Sequence, residues 1–156
     1  MTRAEFITIL VTMFDKVDES AESTFQDVSD HTEWFYRFVV SAQQAGFAQG
    51  SPDGTFGPGS HVSREDMMTF TARALADMCV ALPDEAESAG ILNIFEDSDN
   101  ISDYAKRAVA FFVQEEIVRG YDIGDGAFEC RPGNDITRAE VSQIIGNVLA
   151  WLDKAG

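Results

Sequence analysis

The chain has 156 residues, room for one compact domain, and carries 27 acidic against 11 basic side chains for a net charge of −16. An apolar share of 45%, with 12 Phe, supplies a core and excludes a disordered chain. The acidity excludes a nucleic-acid binder, which needs a basic footprint, and disfavours docking on anionic lipid. No apolar run reaches the roughly 18 residues of a spanning helix, so no membrane insertion is expected. Cys79 and Cys130 are too few for a disulfide scaffold; they form one bridge or stay free.

In chain order, the spacing predicts a first helix over 3–16, with Phe6, Ile9, Leu10, Met13, Phe14 and Val17 on one stripe. A second helix over 33–46 is apolar on most faces and belongs in the interior. A Gly/Asp/Pro loop over 50–62 carries turn chemistry at Pro52, Asp53 and Gly54. An amphipathic helix over 64–80 follows. Residues 83–94 read as a linker, with Pro83 and the acids Asp84, Glu85 and Glu87. The pattern then returns: an apolar helix over 102–117, a loop over 120–136, and an amphipathic helix over 138–152.

That return is an internal repeat. Phe25, Trp34 and Gly50 match Phe95, Tyr104 and Gly120 at one offset of 70. Asp53, Gly54 and Phe56 match Asp125, Gly126 and Phe128 at 72, and Pro58, Ser63 and Arg64 match Pro132, Thr137 and Arg138 at 74. The offset holds through the helix and slips only in loops, where insertions are tolerated. Thr2-Arg3-Ala4-Glu5 is a further copy of Thr137-Arg138-Ala139-Glu140 without its first half, so the chain reads as two and a half repeats.

Within the repeated motif, Thr and Glu form a capping box, each satisfying an amide of the other's turn. The Arg is unusual, because a cation at the first helical position opposes the helix dipole by roughly 0.3–1 kcal/mol. Arg3, Arg64 and Arg138 all stand there. Either each pairs with a nearby acid such as Asp27 or Asp97, or guanidinium and helix amides together form an anion site. Trp34 and Tyr104 either pack in the core or present a ring to a ligand. Gly50 and Gly120 serve a turn or allow close backbone approach. His31 and His61 lie in different loops, no nucleophile stands in a recognisable context, and EF-hand spacing is not met. No catalytic residue, metal or cofactor is expected.

Together these residues resemble the S-layer homology domain family. One repeat carries Phe25, Asp27, Trp34, Gly50, Asp53-Gly54-Thr55-Phe56, Pro58 and Ser63-Arg64-Glu65; the other carries Phe95, Asp97, Tyr104, Gly120-Tyr121, Gly126, Phe128, Pro132 and Ile136-Thr137-Arg138-Ala139-Glu140. The resemblance implies an all-α, pseudo-threefold domain spanning 1–156. Its parts would be the second half of a first repeat at 1–22, a second repeat at 23–82, the linker at 83–94 and a third repeat at 95–156. It also implies a non-catalytic module that anchors an exported protein to the wall or S-layer of a bacterium, mainly Gram-positive. The implied ligand is a secondary cell-wall polysaccharide carrying pyruvate ketals, gripped by Arg3, Arg64 and Arg138 in grooves between repeats. Asp27, Asp97, Trp34 and Tyr104 would assist, with Gly50, Ser51, Gly120 and Tyr121 lining.

Two alternatives accompany this expectation. The acidic surface would suit a cationic decoration on peptidoglycan. The missing half-repeat would leave an apolar notch for a second copy of the chain, as a homodimer, or for an S-layer partner. A working place outside the cell would make these residues part of a longer exported chain, since no signal peptide opens them.

Overall fold

The computed structural model describes residues 1–155. Among them are six α-helices and one short hairpin: α1 (Arg3–Met13), α2 (Tyr36–Gln44), α3 (Arg64–Asp77), α4 (Glu85–Leu92), α5 (Lys106–Gln114), β1 (Tyr121–Gly124), β2 (Ala127–Glu129) and α6 (Arg138–Ala155). The chain divides into two compact units. One comprises Met1–Val62 with Arg73–Val80, the other Ser63–Ala72 with the residues from Ala81 onward.

In the first unit, α1 packs on α2. The core holds Phe6, Ile7, Leu10 and Val11 of α1, Val39 and Val40 of α2, and Phe47 beyond it, all fully buried. Each large apolar side chain so buried contributes about 1.5–3 kcal/mol. Phe25 stacks on Phe56 with ring centroids 5.4 Å apart. In the second unit α4 packs on α5, and Met67, Phe70, Val109, Phe112 and Val148 fill the core.

The two interior helices are shorter than their apolar runs predict. α2 starts at Tyr36 and α5 at Lys106, leaving Trp34 and Tyr104 in the preceding turns, 56% and 55% exposed. The core-packing alternative for these two rings is therefore set aside. The expected linker contains α4. Its N-cap Asp84 accepts from the Glu87 amide at 2.9 Å, and the Glu87 carboxylate accepts from the Asp84 amide at 3.0 Å. A reciprocal capping box nucleates this short helix, which buries Leu92 and Ser88.

The two-residue insertion between the offsets of 70 and 72 also has a structural product. It lengthens the turn after Gly120 into β1–β2, with Tyr121 opposite Glu129. Asp125 and Gly126 at its tip have φ of 53° and 78°, the left-handed pair a tight hairpin demands. In the other repeat the equivalent loop is a tight turn, with the Ser51 amide donating to the Thr55 carbonyl at 2.8 Å and the Gly54 amide to the Ser51 carbonyl at 2.9 Å. Cys79 is exposed, Cys130 is buried, and both are free thiols; burial pushes the Cys130 thiol up to about 12.

Candidate functional site

The repeated Arg motif folds as its capping chemistry dictates. Thr2 accepts from the Glu5 amide at 3.2 Å, and Glu5 accepts from the Thr2 amide at 2.7 Å. Thr137 and Glu140 repeat this at 3.2 and 2.9 Å, while Ser63 accepts from the Asp66 amide at 3.1 Å. Each box leaves its Arg at the first position of α1, α3 or α6.

The first helical amides do not join the arginines as anion donors. Those of Arg3 and Ala4 donate to the carbonyls of Ser60 and Pro58 at 2.8 and 3.1 Å. Those of Arg64 and Glu65 donate to Asn134 and Pro132 at 2.9 and 3.0 Å. The acceptors correspond at the offset of 74, so this is a repeated structural device. Loop carbonyls quench the positive ends of α1 and α3, and the guanidinium is left as the cationic element.

Asp27 and Asp97 likewise have a repeated duty. The Asp27 carboxylate accepts from the Phe56 and Gly57 amides at 2.8 and 2.7 Å. That of Asp97 accepts from the Cys130 and Arg131 amides at 2.7 and 2.8 Å. Each aspartate ties its lead-in to the loop that precedes an Arg helix. Gly50 and Gly120 serve close packing: a Cβ there would stand 2.7 Å from the Phe25 ring and 2.5 Å from the Phe95 ring.

Among the predicted site residues, the structure brings together Arg64, Gly120 and Tyr121. They line a cavity of about 500 Å³, with Glu140, Gln143 and Asn147 on its α6 side. Arg64 is buried, 6% exposed. Its Nη1 donates to the Tyr121 hydroxyl at 3.3 Å and its Nη2 to the Arg119 carbonyl at 3.2 Å. Its guanidinium carbon lies 4.9 Å from the Tyr121 ring centroid, a cation–π contact. Nε is buried and has no hydrogen-bond partner. Donors left so cost about 1–3 kcal/mol.

Tyr121 donates in turn to Oε1 of Glu140, which lies 3.9 Å from Arg64. That bond, first, and the Thr137 contacts hold the Glu140 carboxyl below its ordinary range. Burial, first, and the same bond push the Tyr121 phenol up. At neutral pH the pair is therefore phenol and carboxylate.

The remaining predicted residues lie elsewhere. Arg3 donates from Nε to the Phe56 carbonyl at 2.9 Å and stacks over the Phe56 ring at 4.9 Å. Arg138 is exposed at the start of α6, and Ser51 is exposed in its loop. Tyr104 donates to Glu65 and Asp66 at 3.3 and 3.0 Å, and burial with these two carboxylates pushes its phenol far up. Trp34 lines a separate cavity of about 670 Å³ with Asp18, Glu19, Glu33 and Arg37.

Sequence reasoning missed Arg131, whose guanidinium carbon sits 4.5 Å from the Tyr121 ring centroid while its Nε donates to Glu129 at 2.9 Å. Its counterpart at the offset of 74 is Gly57, whose amide bonds Asp27 as that of Arg131 bonds Asp97, so the repeat offered no side chain from which to read its role. Also missed were Gln143 and Asn147, polar residues on the α6 wall. Among the described residues, no group of three or more His, Cys, Asp or Glu is placed to hold a metal ion, and no helix is long and apolar enough to cross a membrane.

Comparison with known proteins follows the same residues. The S-layer homology domain pattern matches residues 24–68 and 94–142, more than half of the chain. An endoglucanase of Bacillus sp. (strain KSM-635) is 28% identical over 96% of this chain, which spans 15% of that enzyme. An exoglucanase XynX of Acetivibrio thermocellus is 30% identical over 96% of the chain, which spans 13% of it. The surface-layer 125 kDa protein of Lysinibacillus sphaericus is 22% identical over 98% of the chain, which spans 12% of it. The match thus recurs as a small part of much longer proteins. With its repeated lead-in, its glycine loop and its Arg-headed helices matched in order, this chain belongs to the S-layer homology domain family, a family of cell-surface anchoring modules.

Proposed function

We propose that this chain is a non-catalytic anchoring module that holds a larger exported protein to a bacterial wall by gripping an anionic wall glycan in the Arg64 cavity. The observation that carries the reading is the guanidinium-bearing Arg64 on the wall of a cavity of about 500 Å³, with Tyr121, Gln143 and Asn147 beside it. A pyruvate ketal on a secondary wall polysaccharide would offer that guanidinium a carboxylate. Its carboxylate can take two parallel N–H bonds, and its sugar hydroxyls suit the amides of Gln143 and Asn147.

Arg3 and Arg138 would serve equivalent grooves, assisted by Trp34, Tyr104, Asp27 and Asp97, with Gly50 and Ser51 lining the first. On this reading the chain forms one domain of two and a half repeats about a pseudo-threefold axis. Relatives support the anchoring part: the matched segment occurs in named glucanases and in a named surface-layer protein, a distribution that fits a module rather than one chemistry. The charge of −16 opposes an anionic polymer only at range. Salt screens exposed charges beyond about 8 Å, so the local guanidinium decides.

The test is titration calorimetry of a pyruvylated wall polymer against the chain and its Arg64→Ala variant. Loss of binding in the variant supports the Arg mechanism, and equal affinity removes it.

One observation favours a second reading. The cavity of about 670 Å³ carries Asp18, Glu19, Glu22 and Glu33 beside the exposed Trp34. An aromatic ring among carboxylates suits a cationic amino sugar. Binding of de-N-acetylated peptidoglycan that is lost in Trp34→Ala would assign it; indifference to N-acetylation would dismiss it.

A further inference from the structure

Glu140, Gln143, Asn147, Trp151 and Lys154 follow one another on α6 at intervals of three and four residues. Residues so spaced share one face of a helix. At 1.5 Å rise per residue this line is about 21 Å long. The Arg64 cavity follows it as far as Asn147. A second cavity of about 210 Å³ shares Asn147, Glu116 and Ile117 as walls and continues to Trp151 and Lys154.

The two walls are fastened along their length. Asn147 Nδ2 donates to the Ile117 carbonyl at 2.8 Å, and Trp151 Nε1 donates to Glu115 at 2.8 Å. Within the α6 wall, Gln143 Nε2 donates to Asn147 Oδ1 at 3.1 Å. A trough held this way needs little ordering when a ligand enters, which lowers the entropic cost of binding. Its chemistry is graded. A buried guanidinium stands at one end beside Glu140, and side-chain amides in the middle face a wall that carries Glu115 and Glu116. A half-buried indole stands at the other end, packed edge-on against Phe111 at 5.4 Å, with a lysine beyond it. Amides match sugar hydroxyls as donors and acceptors, and an indole supplies apolar area at small entropic cost. A single acidic sugar would occupy only the Arg64 end.

From this geometry we infer that the Arg64 site continues along α6 into a second glycan subsite, bounded by Trp151 and Lys154, that takes the next units of an anionic polysaccharide. The inference rests on the reading of Arg64 as the anchor for the acidic unit.

Titration calorimetry of the whole chain tests it with two probes: a monosaccharide bearing a pyruvate ketal, and an oligosaccharide of the same polymer ending in that unit. The oligosaccharide should bind about fivefold more tightly, the order of one aromatic contact. Trp151→Leu combined with Lys154→Gln keeps apolar bulk against Phe111 and removes the aromatic face. It should bring the oligosaccharide down to the affinity of the monosaccharide, which itself is unchanged. Arg64→Ala should abolish both. In 15N-labelled chain, the Trp151 indole N–H resonance should move with the oligosaccharide and stay in place with the monosaccharide. Equal affinity of the two probes for the unaltered chain, or a double variant that keeps the fivefold advantage, would overturn the second subsite and leave the Arg64 site standing. Binding of neither probe, or undiminished binding of both by Arg64→Ala, would remove the anchor reading and its extension with it.

Discussion

The Tyr121 hydroxyl stands between opposite charges, accepting from Nη1 of Arg64 at 3.3 Å and donating to the carboxylate of Glu140. Its ring meanwhile lies against the guanidinium groups of Arg64 and Arg131. Hydroxyl and ring can be separated experimentally. Tyr121→Phe keeps the ring and should cost about 1 kcal/mol in chemical denaturation, the net worth of an ordinary hydrogen bond. Tyr121→Ala removes the cation–π contacts as well and should cost at least about 1 kcal/mol more. A Phe variant as stable as the unaltered chain would mean that the hydroxyl bridge contributes nothing.

Asp27 and Asp97 should report on folding. Each carboxylate collects two loop amides, at 2.8 and 2.7 Å for Asp27 and 2.7 and 2.8 Å for Asp97. Bonds to a charged acceptor contribute about 1.5–3 kcal/mol, so Asp97→Ala should lower stability by at least about 2 kcal/mol. Asn would recover part, since its one carbonyl oxygen can serve one amide while its NH2 opposes the other. Urea denaturation of the three chains checks the order. An Asp97→Ala chain of normal stability that had lost glycan binding would instead make this carboxylate a ligand contact.

What the sequence made legible was local or repeated. Thr2 with Glu5, and Thr137 with Glu140, are capping pairs three residues apart, and their geometry follows from spacing alone. The same rule applied to Asp84 and Glu87 would have found α4; their acidity and the preceding Pro83 suggested a linker instead. Repeat arithmetic located the loops, and the family resemblance named Arg64, Gly120 and Tyr121 among the site residues without pairing them. It did not reveal that loop carbonyls take the first amides of α1 and α3, because Pro58, Ser60, Pro132 and Asn134 lie 54 to 70 residues from their donors. Arg131 was hidden because its counterpart, Gly57, has no side chain from which to infer a target.

Two glycines make a matched pair of opposite expectations. At Gly120 a Cβ would lie 2.5 Å from the Phe95 ring and 3.0 Å from the Glu129 carbonyl oxygen. Neither the buried ring nor the strand backbone yields cheaply, so Gly120→Ala should destabilise by about 1–3 kcal/mol. Gly146 sits within α6 with nothing inside 4 Å of the added carbon. There Gly146→Ala should stabilise by up to about 1 kcal/mol through helix propensity. Thermal melts of both variants decide, and a neutral Gly120→Ala would mean that Phe95 has room to move.

The Glu140–Tyr121 pair also predicts how the fold responds to pH. The Tyr121 bond, the Thr137 contacts and the Arg64 charge hold Glu140 below its ordinary 4.5. A depressed carboxyl contributes stability that is present above about pH 4.5 and lost as pH falls through the folded-state value. Tyr121 has the opposite sense, being raised above its ordinary 10.0, chiefly by burial. Its contribution is intact below about pH 10 and lost as pH rises through the folded-state value. The two limits bracket the range in which this end of the cavity is most stable. Glu140→Gln removes the acid limit, since an amide does not titrate there. Melting temperature plotted from about pH 3 to pH 7 should therefore fall less steeply on the acid side in the variant than in the unaltered chain. The difference will be modest, because the Glu140 side chain is 32% exposed and solvent screens the charges around it. Parallel curves would mean that Glu140 titrates alike in the folded and unfolded chains, and that its bond to Tyr121 has no energetic weight.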